Sequence, residues 1–194
     1  MDVKNHCLGQ GCGLGNPIFQ SRGFTFIELL VTLAIASIFV INAFPNLSAL
    51  IAQERTIILT NTIAGALAFA RSEAVTKNTT VITCQSNNGS SCTRFASWHN
   101  GWIIFVDKNN NIQREPEEAL LRVYAAIGNG TQATFNGAGG HDHFMRYKPT
   151  GRAYPNGSFE MCNPNIGRGK ALIMTQSGRL RLSKIDSDGN RISC

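Results

Sequence analysis

"GFTFIELLVTLAI", residues 23–35, opens an apolar run that reaches Phe44 and carries a single charge, Glu28. The 21 positions from Phe24 to Phe44 make about 32 Å of α-helix, close to the roughly 30 Å hydrocarbon core of a bilayer. An acidic residue at mid-membrane costs about 2.5–3.5 kcal/mol on insertion scales. Glu28 therefore needs a partner. A secretory signal is cut after its apolar region, at small residues. Here a polar leader ends at Gly23, before the run begins. Cleavage there would leave Phe24 with a free positive amine, four residues from Glu28. That amine can pair with the carboxylate in the same chain or on a neighbouring subunit.

Beyond Pro45 the helical pattern continues. Leu59, Ile63, Leu67, Ala70 and Ala74 recur at spacings of three and four and mark one apolar face. The helix should end near Lys77 and Asn78. After it the grammar changes to short β-like runs between turn residues. They are "TTVITC" (79–84), "WIIFV" (102–106), "LLRVY" (120–124), "QATF" (132–135), "FMRY" (144–147), "SFEMC" (158–162), "ALIMT" (171–175) and "RLRLS" (179–183). Trp102, Ile104 and Val106 should share one face, with Ile103 and Phe105 on the other. The fold class is α+β, a helix laid on antiparallel sheet.

"GFTFIELLVTLAI" resembles the prepilin signature of type IV pilins and type II secretion pseudopilins. The resemblance implies a leader at 1–23 removed by prepilin peptidase, N-methylation of Phe24, and a role for Glu28 in filament assembly. It further implies a transmembrane or filament-core helix at 24–45, its amphipathic continuation at 46–78, and a β-rich domain at 79–194. Pro45 falls where that family often kinks its long helix. "LAFARSEAVTKN" (67–78), "WHNGWIIFVDKNNN" (98–111) and "SGRLRL" (177–182) look like the FimT/GspH branch of minor pilins and pseudopilins. The expected location is the bacterial inner membrane before assembly and a surface filament afterwards, with other pilin subunits as partners.

Cys84, Cys92, Cys162 and Cys194 follow the apolar run, and none forms a C-x-x-C pair. Downstream of an export signal they read as two disulfides. Three connectivities are possible. Cys84–Cys92, closing the loop "QSNNGSS", with Cys162–Cys194, pinning the tail, is the favoured one.

The chain is 43% apolar and 15% charged with net charge +6. From Phe24 to Met145 acidic and basic residues nearly balance. From Arg146 onward Arg146, Lys148, Arg152, Arg168, Lys170, Arg179, Arg181, Lys184 and Arg191 face only Glu160, Asp186 and Asp188. Enzymatic motifs are poor, and neither metal nor cofactor is expected. His141, Asp142 and His143 lie in a Gly-rich loop without a scaffold. Asp107, Asn109, Asn111 and Glu118 have calcium-loop spacing, but Ile112 stands where the glycine belongs.

The sharpest basic element is "TQSGRLRLSKI" (175–185). Gly178 permits a tight turn. Alternation then puts Arg179 and Arg181 on one strand face, about 7 Å apart, and Leu180 and Leu182 on the other, toward the core. The guanidinium fork suits phosphate oxygens. Arg168 and Lys170 should lie in a nearby Gly-rich loop, with Lys184 and Arg191 extending the patch. Gly-Arg-x-Arg near the C-terminus is associated with FimT-type minor pilins that bind DNA for uptake in natural transformation. The resemblance thus implies non-specific binding of extracellular double-stranded DNA by Gly178, Arg179, Arg181, Arg168, Lys170 and Lys184. The alternative is a structural minor pilin or type II secretion pseudopilin that primes filament assembly without binding DNA.

Overall fold

A computed structural model of the chain describes residues 23–127, 130–185, 189–192 and 194, without the side chains of residues 41–46. The leader to residue 22, with Cys7 and Cys12, and the side chain of Pro45 lie outside the described residues. The chain divides into two units, Met1–Ala43 and Phe44–Cys194. Helix α1 is Phe26–Thr76.

In the first unit, residues 23–25 are non-helical and the helix starts under a side-chain cap. The Glu28 N–H donates to Thr25 Oγ1 at 3.2 Å, and the Leu29 N–H donates to the Thr25 carbonyl at 3.1 Å. Thr25-Phe26-Ile27-Glu28 has the spacing of a capping box, a signal that the sequence analysis missed. Glu28 also sits in the first turn, where the helix dipole favours a negative charge. The apolar side chains of this unit are exposed, Phe24 at 80% and Phe26 at 77%. Among the described residues no helix is long and apolar enough to cross a membrane.

In the second unit the helix ends where it should. Asn78 takes a positive φ of 48°, a conformation that asparagine tolerates better than most residues and that stops the helix. Among the described residues nine strands form two antiparallel sheets. The first has the order β3 (Leu120–Ala125), β2 (Gly101–Val106), β1 (Val81–Gln85), β5 (Phe144–Tyr147), β6 (Ala153–Tyr154). The second has the order β4 (Gln132–Gly137), β7 (Gly157–Asn163), β8 (Arg168–Met174), β9 (Leu180–Ser183). Both turn a face to the helical stripe. Leu59, Ile63, Leu67, Ala70 and Ala74 join Trp102, Ile104 and Tyr147 of the first sheet and Phe135, Phe159, Met161, Leu172 and Met174 of the second in one core. Ala66, Ala70 and Ala74 leave room for backbone-close packing. Trp98 seals the end of this core, edge-on to Phe159 at 4.8 Å, with its N–H donating to the Asp142 carbonyl.

The period-two reading of β2 holds: Ile103 and Phe105 face away into a second cluster with Ile82, Cys84 and Phe144. Cys84 is bonded to Cys92 across a Cα–Cα distance of 5.6 Å, which ties the intervening loop beside that cluster. The loop after β2 is held by its own backbone. Asp107 accepts from the N–H groups of Asn111 and Ile112, and Glu118 from those of Lys108 and Glu115. Both carboxylates are buried. Glu118→Ala removes the acceptor and leaves two inward N–H groups unpaired. It should lower stability by at least about 1.5–3 kcal/mol, the worth of a hydrogen bond to a charged group. Urea unfolding of the detergent-solubilised protein checks this, and an unchanged midpoint would mean that water replaces the carboxylate without cost.

Candidate nucleic-acid interface

The β8–β9 turn is fixed from three sides. The Gly178 N–H donates to the Thr175 carbonyl at 2.8 Å, and Gly178 has φ +77°. A Cβ at this position would run into the Gly151 carbonyl oxygen, so glycine is required both by conformation and by space. From the helix, Arg71 donates Nε to the Gly151 carbonyl at 3.1 Å and Nη2 to the Ser177 carbonyl at 3.0 Å. The Ala153 N–H also donates to the Gln176 carbonyl. Arg71 thereby joins the turns at 148–152 and 175–179. Beneath them the Tyr147 hydroxyl donates to Met174 Sδ at 3.4 Å. Burial pushes the Tyr147 phenol above its ordinary range, and the nearby Arg71 guanidinium draws it partly back. A groove of about 680 Å³ runs between the helix and these turns, with Ala68, Arg71, Val75, Arg179 and Leu180 among its walls.

The register sorts the basic residues onto two faces. Arg181 lies opposite Ile173, on the face away from the core, and Arg179 shares that parity. Both are exposed. Leu180 and Leu182 take the other face, but only Leu180 packs against the core. Leu182 is 55% exposed, which corrects the expectation that both leucines would be buried. As the last strand of its sheet, β9 extends past the apolar cover that protects Leu172 beside it.

Arg168 and Lys170 are also not in a loop. They open β8, opposite Asn163 and Met161 of β7. Gly167, at φ +57°, completes a turn short enough for the two strands to pair up to Arg168. Lys170 shares the parity of Leu172, so it lies on the core-side face, opposite to the face of Arg179 and Arg181. Lys184 follows β9 at a bend, where its carbonyl accepts from the Ile192 N–H at 3.5 Å. The expected single patch is thus divided between the two sides of one sheet edge.

The tail closes this edge. Ile185 bridges Arg191, the Gly169 N–H donates to the Ile192 carbonyl at 3.1 Å, and Ile192 is buried. Cys194 is bonded to Cys162, whose register partner on β8 is Gly169. Among the described residues the carboxylates in reach of a basic side chain are Glu73, paired with Lys77, and Asp142, 3.2 Å from His143 Nδ1, so the basic residues of this edge have no acidic partner there. Lys148 and Arg152, exposed in the turn held by Arg71, were not part of the expected patch. Among the described residues no group of three His, Cys, Asp or Glu side chains could hold a metal ion.

The family described as type II transport protein GspH matches residues 59–178, from the buried helical stripe to the glycine of the β8–β9 turn. This chain belongs to the GspH family. Residues 18–41 match the prokaryotic N-terminal methylation motif, which encloses Gly23, Phe24 and Glu28. A GspH-family chain with this motif is a pilin-type protein. Membership implies processing by the prepilin peptidase, assembly with other pilin subunits, and entry to the filament from the inner membrane. Two crystal forms of the type IV minor pilin FimU from Pseudomonas aeruginosa are similar in structure. One is 20% identical, covering 75% of this chain and 92% of FimU, with a TM-score of 0.45. The other is 22% identical, covering 70% and 90%, with a TM-score of 0.42. Curated proteins offer no sequence match. The GspH match ends at Gly178, so Arg179 and Arg181 fall just beyond it.

Proposed function

We propose that this GspH-family subunit is a minor type IV pilin that binds extracellular double-stranded DNA, without sequence specificity, for uptake in natural transformation. The observation carrying this reading is the pair Arg179 and Arg181. Both are exposed, Arg179 just before the edge strand β9 and Arg181 within it, set by the constrained turn at Gly178, with no acidic partner among the described residues. Guanidinium groups so placed suit phosphate oxygens, and phosphate contacts give affinity without reading bases. A second reading, a type II secretion pseudopilin that primes assembly without DNA, is favoured by the family's description. A mobility shift with the solubilised protein and short duplexes of unrelated sequence separates them. Dissociation constants of about 10⁻⁴–10⁻⁶ M, rising steeply with salt, are expected for non-specific binding. No shift at low salt selects the secretion reading.

The same proposal assigns the apolar run at 24–45 to the membrane before assembly and to the filament interior afterwards. Mass spectrometry of membrane-extracted protein should find a mature chain starting at Phe24, methylated on its amine. Glu28→Ala should fold and insert normally, because Thr25 still accepts the N–H of residue 28 and a charge has left the lipid. Its incorporation into filaments should be lost. Normal incorporation would assign Glu28 to helix capping alone.

A further inference from the structure

The groove between the helix and the two turns that Arg71 joins is lined by charge of one sign. Its helical wall is Ala68, Arg71, Ser72 and Val75, which helix spacing puts on one side of α1. Glu73 falls among these positions in sequence but on another side of the helix, where it is paired with Lys77. The second wall comes from the turns, with Thr150 and Gly151 from one and Arg179 and Leu180 from the other. Among the described residues no carboxylate lines the groove, and the turn at 148–152 adds the exposed cations Lys148 and Arg152.

Arg71 uses Nε and Nη2 on the carbonyls of Gly151 and Ser177. Those carbonyls orient the guanidinium without neutralising it, and no carboxylate pairs with it among the described residues. Its positive charge therefore stays at the groove wall, held in one orientation before anything binds. Phosphate contacts in nucleic-acid complexes come from arginine and from serine and threonine hydroxyls. The groove offers both kinds, Arg71 and Arg179 beside Ser72 and Thr150, with Val75 and Leu180 as apolar surface for the sugars between phosphates. At about 680 Å³ it falls in the range of about 300–1,000 Å³ that holds a molecule rather than a lone ion. Arg179 belongs both to this groove and to the pair with Arg181 that carries the DNA-binding reading. We propose that the groove seats one backbone strand of the bound duplex. The strand held by Arg181 and Arg179 then continues between α1 and the turn at 148–152, with Arg71 as a further phosphate contact. This inference rests on the DNA-binding reading above and extends it from β9 to the helix.

The test places charge at Ser72, an exposed position on the helical wall where glutamate and lysine are both good helix formers. Asn100 takes the same charges as a control. It is exposed just before β2, at the end of the first sheet away from Val81 and Tyr147. Mobility shifts use the full chain in detergent and one short duplex across a series of salt concentrations. Ser72→Glu should weaken binding at least about tenfold at low salt, because its carboxylate would face phosphates at short range. Asn100→Asp should change it by less than about twofold, since salt screens a distant charge. Ser72→Lys should steepen the slope of log K against log salt by about 0.9, one added phosphate contact, and Asn100→Lys should leave it unchanged. That gain is one an unfolded variant could not give. Binding by Ser72→Glu within about twofold of Asn100→Asp, or a wild-type slope in Ser72→Lys, would put the backbone outside the groove and leave DNA binding to β9. Absence of any shift with the wild-type chain would overturn both readings together.

Discussion

Replacing Arg179 and Arg181 together with glutamine should nearly abolish duplex binding and leave the fold intact. Both side chains are exposed, and neither has an acidic partner among the described residues, so their loss uncovers no buried charge. Leu180 and the turn at Gly178 remain in place. Each phosphate contact contributes about 0.9 to the magnitude of the slope of log K against log salt, so the slope should flatten by about 1.8. A loss of charge at a distance from the DNA would lower affinity with a smaller change in slope. In cells the double variant should still assemble pili but lose DNA uptake. Wild-type binding by the variant would make this strand a solvated edge and move the DNA contacts elsewhere on the protein. Loss of pili would place the arginines in assembly.

The second large effect concerns the bond between Cys162 and Cys194. It closes a sequence separation of 32, against 8 for Cys84–Cys92. On chain entropy alone the two bridges stabilise by about 3.7 and about 2.5 kcal/mol. Replacing Cys162 and Cys194 with serine should therefore be the more damaging change, within the usual range of about 2–5 kcal/mol for a native bridge in a small exported domain. It should also release Ile192 from Gly169 and loosen the edge beside Lys184, so DNA affinity should fall along with the unfolding midpoint. Urea unfolding and mobility shifts on the two serine pairs check both statements. A greater loss from the Cys84–Cys92 pair would mean that native packing around the loop outweighs chain entropy.

Much of the domain was legible because its signals are periodic. The stripe from Leu59 to Ala74 and the alternation through Trp102 and Ile103 are set by helix and strand geometry, and the core follows both. Strand β6, only Ala153 and Tyr154, is too short to show a period. The start of β8 was hidden by Gly167 and Gly169, which suggest a loop by composition although the ladder runs through Gly169. Alternation placed Leu182 on the correct face, but a face is buried only if something covers it, and at the sheet edge nothing in the sequence reports that. Arg71 was overlooked for a different reason. Its partners are carbonyl oxygens 80 and 106 residues away, and main-chain acceptors leave no mark in a sequence. The site depends on it nonetheless.

The hydroxyl cap on Thr25 has a consequence for enzymes that act on the N-terminal region. Peptidases bind their substrates as extended backbone, and a peptide unit wound into a helix has its carbonyl and amide already engaged. By starting the helix at Phe26, Thr25 keeps the Gly23–Phe24 peptide bond outside it. The glycine beside that bond adds no side chain to obstruct approach. If the chain is cut at that bond, as proposed above, the new amine lies one residue before the cap, and a methyl group can be transferred to it without unwinding a turn. The same threonine therefore starts the helix and leaves the Gly23–Phe24 bond open to the proposed cut.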